Sequence, residues 1–198
     1  MVGCINTSPG AGRSIPHTHI NLFWADEIPL IDASRTETLF HINDGAAAVA
    51  RFVDCPFVAL TVVSESDPFL IPGLMNTIQA LDELNAPYNI LAVPVHNGGS
   101  KDARIVIVPR AECSVDEIKQ KVAGFELITG YLVPGEAAWS DMSPDRRDRA
   151  IRRATLDETA ATELIDMLQE HLAKNRCAGE GLAAVSNRAI SQDTASAA

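Results

Sequence analysis

Hydrophobic residues in the first two thirds of the chain cluster in short runs separated by polar and glycine-containing stretches, a pattern typical of β-strands and turns. Several of the runs are rich in valine and isoleucine, which favour strands. The runs predict strands at residues 18–24, 28–31, 39–42, 57–63, 89–95, 103–108 and 125–133. Asn43-Asp44-Gly45 predicts a turn, and residues 96–100 predict a hairpin between the fifth and sixth runs. Residues 46–52 fit no single pattern.

Periodic apolar residues or helix-capping pairs predict helices at four places. Leucine, methionine and isoleucine recur at steps of three and four from Leu74 to Leu84, between Pro72 and Asn85-Ala86-Pro87. Ser114 and Glu117 form a capping-box pair that predicts a short helix ending at Gly124. Two further helix starts are indicated, by Ser143-Pro144 and by the capping-box pair of Thr155 and Glu158. The last helix carries an apolar stripe of Leu164, Ile165, Leu168 and Leu172.

These elements together predict an α+β domain, an antiparallel sheet with flanking helices, over residues 1–175. Residues 176–198 are rich in alanine, serine and asparagine without periodicity, and we expect a disordered tail there. The chain has 198 residues, of which 46% are hydrophobic and 21% charged, enough for one domain with a buried core.

Charge, cysteine content and hydrophobic run length argue against several classes of protein. A formal net charge of −10 argues against general nucleic-acid binding, which depends on lysine and arginine contacts to phosphates. The four cysteines are widely spaced and form no Cys-x-x-Cys pair, which indicates reduced thiols in the cytoplasm. Neither a signal peptide nor an 18-residue apolar stretch occurs, so we expect no membrane partner.

A glycine-rich segment runs directly into two histidines near the N-terminus. In an extended strand His17, His19 and Asn21 would share one face. Gly12 and Ser14, in the turn before them, are small residues that let backbone N–H groups approach a phosphate. The arrangement predicts attack by an imidazole on a bound phosphate. The segment is Asn6-Thr7-Ser8-Pro9-Gly10-Ala11-Gly12-Arg13-Ser14-Ile15-Pro16-His17-Thr18-His19-Ile20-Asn21.

The part from Gly12 to Asn21 resembles the histidine-triad (HIT) and galactose-1-phosphate uridylyltransferase superfamily. It is most similar to the branch of diadenosine tetraphosphate phosphorylases (ATP adenylyltransferases) and GDP-hexose phosphorylases, whose motif is Gly-x-Ser-x-Pro-His-x-His-x-Gln. Later pieces follow in the family's order, and the resemblance covers roughly residues 5 to 170. These pieces are Pro87-Tyr88-Asn89-Ile90-Leu91, Ile105-Val106-Ile107-Val108-Pro109-Arg110, Ala123-Gly124-Phe125-Glu126-Leu127 and Gly130-Tyr131-Leu132-Val133.

The resemblance implies a HIT-like nucleotidyltransferase or phosphorylase that uses a dinucleoside polyphosphate or nucleotide sugar and phosphate, with no cofactor. His19 would be the nucleophile, and His17 would orient or polarise the site. The Gly12–Ser14 turn, the Ser14 hydroxyl and Asn21 would stabilise charge on the phosphoryl oxygens. Asn6 would fix the turn or contact phosphate.

Two features depart from the family pattern. Asn21 stands where the phosphorylase branch has glutamine, so its side chain is one methylene shorter. Only 16 residues precede His17, whereas family members have further strands there that form part of the nucleotide pocket. We therefore expect the C-terminal portion of the family fold, with an exposed sheet edge that favours homo-oligomers.

Other interpretations of the same residues remain open. His17 and His19 have a spacing common in metal sites, although no further ligand motif accompanies them, and they also fit a surface pair without chemistry. The alternative to an enzyme is a non-catalytic nucleotide-binding or truncated remnant domain. Arg110, at the end of a predicted strand, is a candidate phosphate contact. The arginines between 146 and 153 instead suit ion pairs with Asp145 and Asp148 on a solvated helix face, and His41 and His96 are expected to be structural or exposed.

Overall fold

A seven-stranded antiparallel sheet forms the centre of the molecule, in the order β2-β1-β6-β7-β5-β4-β3. The computed structural model describes residues 2–11, 20–24, 35–53, 55–64, 67–94, 103–111, 114–115, 120–129 and 143–174. The strands of the sheet are β1 (Val2–Asn6), β2 (Ile20–Phe23), β3 (Thr36–Ile42), β4 (Ala47–Phe52), β5 (Leu60–Ser64), β6 (Tyr88–Pro94) and β7 (Ala103–Pro109).

The remaining elements are a two-stranded pair and the helices that pack on the sheet. The pair consists of β8 (Ser114–Val115) and β9 (Gln120–Lys121). The helices are α1 (Asp67–Glu83), α2 (Gly124–Thr129), α3 (Pro144–Ala154) and α4 (158–174). The predicted α+β class, an antiparallel sheet with flanking helices, is confirmed. None of the helices within the described ranges combines the length and apolar character needed to cross a bilayer.

Hydrophobic side chains cover both faces of the sheet because apolar residues occupy successive positions along the inner strands. On one face, β1, β6 and β7 pack against Leu127 of α2 and Ile151 of α3; we call this the first core. On the other face, β3, β4 and β5 pack against Leu81 of α1 and Leu168 of α4; we call this the second core. The stripe predicted for the last helix is confirmed, since Leu164, Ile165 and Leu172 also pack against the second core.

Helix α1 is longer than the sequence predicted. It begins at Asp67 and includes Pro72, although proline removes an internal hydrogen bond. Tertiary packing offsets this cost: Gly73 is buried so close to the sheet that an added Cβ would lie 3.1 Å from Val62. The predicted stop is confirmed, because Asn85 has a φ of 54° and the N–H of Ala86 donates to the carbonyl of Leu81 at 3.0 Å, a Schellman-type end.

Two predicted elements are wrong. Residues 114–124 were expected to form a helix, but Ser114 and Val115 pair with Lys121 and Gln120 as a strand pair. Residues 125–133 were expected to form a strand, but α2 covers Gly124–Thr129. The Glu126 carboxylate accepts from the N–H of Ala123 at 3.0 Å, which caps the first turn of α2 and favours helix over the strand suggested by the apolar side chains.

The last two helices are capped by side chains at their N-termini. Ser143 accepts from the N–H of Arg146 at 3.3 Å and Pro144 opens α3, as predicted. Asp157 rather than Thr155 caps α4, accepting from the N–H of Ala160 at 2.8 Å. Thr155 instead donates to the carbonyl of Ile151 at the end of α3. The predicted strand 28–31, turn 96–100 and tail 176–198 lie outside the described residues.

Candidate functional site

The two strands that flank the histidine motif in sequence are neighbours in the sheet. β1 ends at Asn6, and the antiparallel strand β2 begins, in the described residues, at Ile20. Asn21 lies opposite Cys4, so both side chains belong to the same face of the sheet, and Asn21 is exposed. The predicted site residues Gly12, Ser14, His17 and His19 lie outside the described residues, and their predicted roles stay predictions.

Asn6 is buried at the end of β1 and binds three protein donors. Asn6 is only 6% exposed. The Oδ1 atom accepts from Asn89 Nδ2 at 2.8 Å, from the N–H of Gly124 at 3.1 Å and from the thiol of Cys4 at 3.7 Å. Because Gly124 N–H can only donate, the orientation of the Asn6 amide is fixed. No acceptor for the Asn6 Nδ2 occurs among the described residues.

Asn89 was missed as a site residue by the sequence analysis. It is fully buried in β6, directly opposite Asn6, and its Nδ2 also donates to the carbonyl of Ala11 at 2.8 Å. A signal was present in the sequence. Asn89 is a polar residue in an otherwise apolar strand, and it lies on the same face as Leu91 and Val93, which both pack in the first core. A polar residue on that face requires hydrogen-bond partners.

Arg110 is buried directly after β7 and is 2% exposed. Its guanidinium donates to the Asn89 Oδ1 at 2.6 Å and to the carbonyls of Ala154 at 2.7 Å and Val122 at 2.6 Å. The prediction that Arg110 contacts phosphate is not tested by these contacts, but they give it an internal role. It joins β6, the entry to α2 and the end of α3.

The turn that follows β1 is attached to β6. Both the N–H and the hydroxyl of Thr7 donate to the carbonyl of Tyr88. A short 3₁₀ turn covers Pro9–Ala11, with the N–H of Ala11 donating to the carbonyl of Ser8 at 3.0 Å. Together with the bond from Asn89 to Ala11, these contacts fix the first half of the glycine-rich segment on the sheet.

The surroundings of this network are buried. Burial raises the pKa of the Cys4 thiol to about 12, with the negative charge of Glu126 adding to the effect and Arg110 opposing it. Gly124 allows the start of α2 to approach closely, since an added Cβ would lie 2.6 Å from Cys4 Sγ. In such a site a hydrogen bond to a bound anion is stronger than in water.

Other candidate features lie away from this network. A cavity of about 170 Å³ near the β3–β4 edge is lined by Glu37, Arg51, Cys55 and Glu158, with Arg51 and Glu37 paired at 3.1 Å. Within the described part of the chain, no three histidine, cysteine or acidic side chains are grouped to hold a metal ion.

The arginines of α3 are mostly exposed, and Arg147 pairs with its neighbour Asp148 at 3.1 Å. This pair joins adjacent residues, whereas the sequence favours pairs four residues apart, Asp145 with Arg149 and Asp148 with Arg152. His41 is exposed on β3, as predicted, and His96 lies outside the described residues. The arginine side chains of α3 therefore lie mostly on a solvated face, and the last residue of the helix, Ala154, contributes a carbonyl to the Arg110 contacts.

Searches of the chain against family models, curated proteins and solved structures return no match.

Proposed function

We propose that this chain binds a dinucleoside polyphosphate or a nucleotide sugar and transfers its nucleotidyl group to phosphate through His19. The observation that carries the proposal is the register of β1 and β2. The paired residues run from Val2 with Phe23 to Ile5 with Ile20, so the described part of β2 begins beside the end of β1. Position 19 directly precedes β2 in the sequence, and Asn6 is the last residue of β1.

This relation would bring the proposed nucleophile close to a buried amide. Residues at the adjoining ends of an antiparallel strand pair are close enough to contact one ligand, and we propose that His19 and Asn6 do so. The Asn6 Nδ2 is a buried donor with no acceptor in the described part of the chain. Leaving such a group unbonded costs about 1–3 kcal/mol. An oxygen of the α-phosphate is the acceptor that we propose for it.

The proposed chemistry has two steps. The imidazole of His19 attacks the α-phosphorus, and the bond to the bridging oxygen breaks to release the first product. Inorganic phosphate then attacks the same phosphorus, breaks the phosphorus–nitrogen bond and leaves with the nucleotide as a nucleoside diphosphate. Asn6, Asn21 and the amides of the Gly12–Ser14 turn would stabilise the charge on the non-bridging oxygens.

A second candidate function is nucleotide binding without chemistry. The buried Asn6 amide and the fixed turn after β1 would serve a binding module as well as an enzyme. The two differ in whether a covalent nucleotide appears on the chain.

The test is covalent labelling. The chain is incubated with a dinucleoside tetraphosphate or GDP-hexose labelled at the α-phosphate, and bound label is measured after denaturation. We expect an acid-labile, base-stable bond that phosphate discharges as nucleoside diphosphate. His19→Asn should abolish labelling and keep most of the nucleotide binding, because it removes only the attacking nitrogen.

The matched control is His41→Asn, at an exposed position on β3, the far edge strand from β2. It should label as the unchanged chain does. Asn21→Ala should slow labelling by roughly 10²- to 10³-fold, as loss of one charge-stabilising donor does elsewhere. Nucleotide binding without any labelling would reject transfer and support the binding module.

A further inference from the structure

A series of buried hydrogen bonds from Arg110 to Asn89 and on to Ala11 connects the first core to the Pro9–Ala11 turn. Asn6, Asn89 and Arg110 lie on one face of the sheet, since Asn89 is opposite both Asn6 and Val108, and Arg110 follows Val108 by two residues. The network is therefore built by strand register and not by flexible surface side chains.

The orientation of the Asn89 amide is determined at both ends. Arg110 Nη1 can only donate, so the Asn89 atom that it meets at 2.6 Å is the oxygen. The carbonyl of Ala11 can only accept, so the atom 2.8 Å from it is the nitrogen. Rotation of this amide by 180° would oppose like groups at two contacts. Arg110 thereby keeps the Asn89 amino group directed at the turn.

The Asn89 amino group also divides its two protons between two targets. One bond goes to the Asn6 Oδ1 at 2.8 Å and the other to the carbonyl of Ala11, also at 2.8 Å. The first bond orients the Asn6 side chain, whose Nδ2 has no acceptor among the described residues. The second bond holds Ala11, the last residue of the 3₁₀ turn. A single side chain therefore sets both Asn6 and the backbone that leads to Gly12.

We propose that Asn89, oriented by Arg110, is a positioning residue that fixes the Pro9–Ala11 turn and the Asn6 amide for substrate. Its effect on catalysis rests on the proposed nucleotidyl transfer, whereas its effect on the turn is independent of it. Arg110 acts through Asn89 and through the carbonyls of Val122 and Ala154, which keep the guanidinium in place.

The test variant is Asn89→Asp. The new carboxylate keeps an acceptor for Arg110 but loses both donated bonds, so the interior stays paired while the turn is released. We expect the backbone amide of Ala11 to exchange with deuterium roughly tenfold faster, the effect of losing about one hydrogen bond from the turn. At saturating nucleotide the labelling rate should fall about tenfold, with the half-saturating concentration changed by less than about twofold.

The matched control is Thr77→Val. Thr77 is fully buried in α1, on the second-core face, and its hydroxyl donates to the carbonyl of Gly73 at 2.8 Å. This variant also loses a buried side-chain bond to a backbone carbonyl, but exchange at Ala11 and the labelling rate should stay as in the unchanged chain. A general loss of stability would instead speed exchange in both variants.

A measurement on the unchanged chain covers the case in which Asn89→Asp does not fold. The two side-chain amide protons of Asn89 should exchange slowly in NMR spectra and show a nuclear Overhauser contact to Ala11. Rapid exchange of these protons, or unchanged Ala11 exchange in a folded Asn89→Asp variant, overturns the positioning role. Faster Ala11 exchange in a chain that never becomes labelled keeps the positioning role and rejects nucleotidyl transfer.

Discussion

Asn6 and Asn89 face each other across adjacent strands, and the amino group of Asn89 donates to the carbonyl oxygen of the Asn6 side chain at 2.8 Å. Both are buried beside the first core, where an unbonded amide is costly. Their pairing makes the end of β1 a fixed point from which the glycine-rich segment departs. The stability of the chain should therefore depend on these amides.

Asn6→Ala should lower the free energy of unfolding by about 2–4 kcal/mol, because the N–H of Gly124 and one proton of Asn89 lose their acceptor in a buried place. Urea unfolding followed by circular dichroism measures this difference. Asn76→Ala is the control, since its side chain makes an exposed bond of 3.4 Å to Asn43. Equal midpoints for the two variants would show that the Asn6 network contributes no stability.

Gly124→Ala should destabilise the chain by about 1–3 kcal/mol through overpacking. The added methyl group would lie 2.6 Å from Cys4 Sγ and 3.1 Å from Asn89 Cγ. Cys4→Ala removes the closer of these atoms, so the double variant should be more stable than the sum of the single changes predicts. If the free-energy changes of Gly124→Ala and Cys4→Ala simply add in the double variant, the strain does not arise from the contact between these two residues.

Stability should fall as the pH rises above about 9. Burial raises the pKa of Cys4 from 9.0 to about 12 and that of Cys55 from 9.0 to about 11. Above pH 9 the unfolded chain loses these protons while the folded chain keeps them, so the stabilisation is complete below pH 9 and is lost as the pH approaches the folded values. Between pH 10 and 11 the free energy of unfolding, measured with urea, should fall less steeply with pH in Cys4→Ala, by about 1.4 kcal/mol per pH unit. An unchanged slope would mean that the Cys4 thiol ionises in the folded chain.

The exposed face of β2 should drive self-association. Ile20 and Leu22 are 61% and 63% exposed on a strand that the described residues leave at the edge of the sheet. Leu22→Lys should shift sedimentation towards smaller species. Ile71→Lys, at a position 60% exposed on α1, is the control and should leave the sedimentation unchanged. A monomeric unchanged chain would contradict the expected homo-oligomer.

The sequence predicts most of the sheet because its strands carry local signals. Valine and isoleucine runs and the Asn43-Asp44-Gly45 turn suffice to locate β3, β5, β6 and β7, with the turn residues at positive φ as expected. The segment at 114–129 could not be predicted locally. There the N–H of Gly124, at the start of α2, donates to Asn6, a residue 118 positions away in sequence.

The candidate site, too, depends on contacts between residues that are distant in sequence. Asn6 and Arg110 can be singled out by their chemistry, but their burial and their common partner Asn89 follow from strand pairings between distant segments. The acceptors of Arg110 on Val122 and Ala154 likewise follow it by 12 and 44 residues in sequence. No local pattern specifies which backbone carbonyls will surround a guanidinium.

The contact between Arg110 and the carbonyl of Ala154 also sets an order of events during synthesis. Ribosomes add about 5–20 residues per second, so Ala154 follows Asn6 out of the peptidyl-transferase centre by between about 7 and 30 s. Arg110 is made 44 residues before Ala154, and until Ala154 follows, its guanidinium lacks one acceptor and the early β1 segment cannot be fixed by the completed network. The N-terminal turn should therefore be among the last parts of the nascent chain to become resistant to protease, even though it is the first to be made.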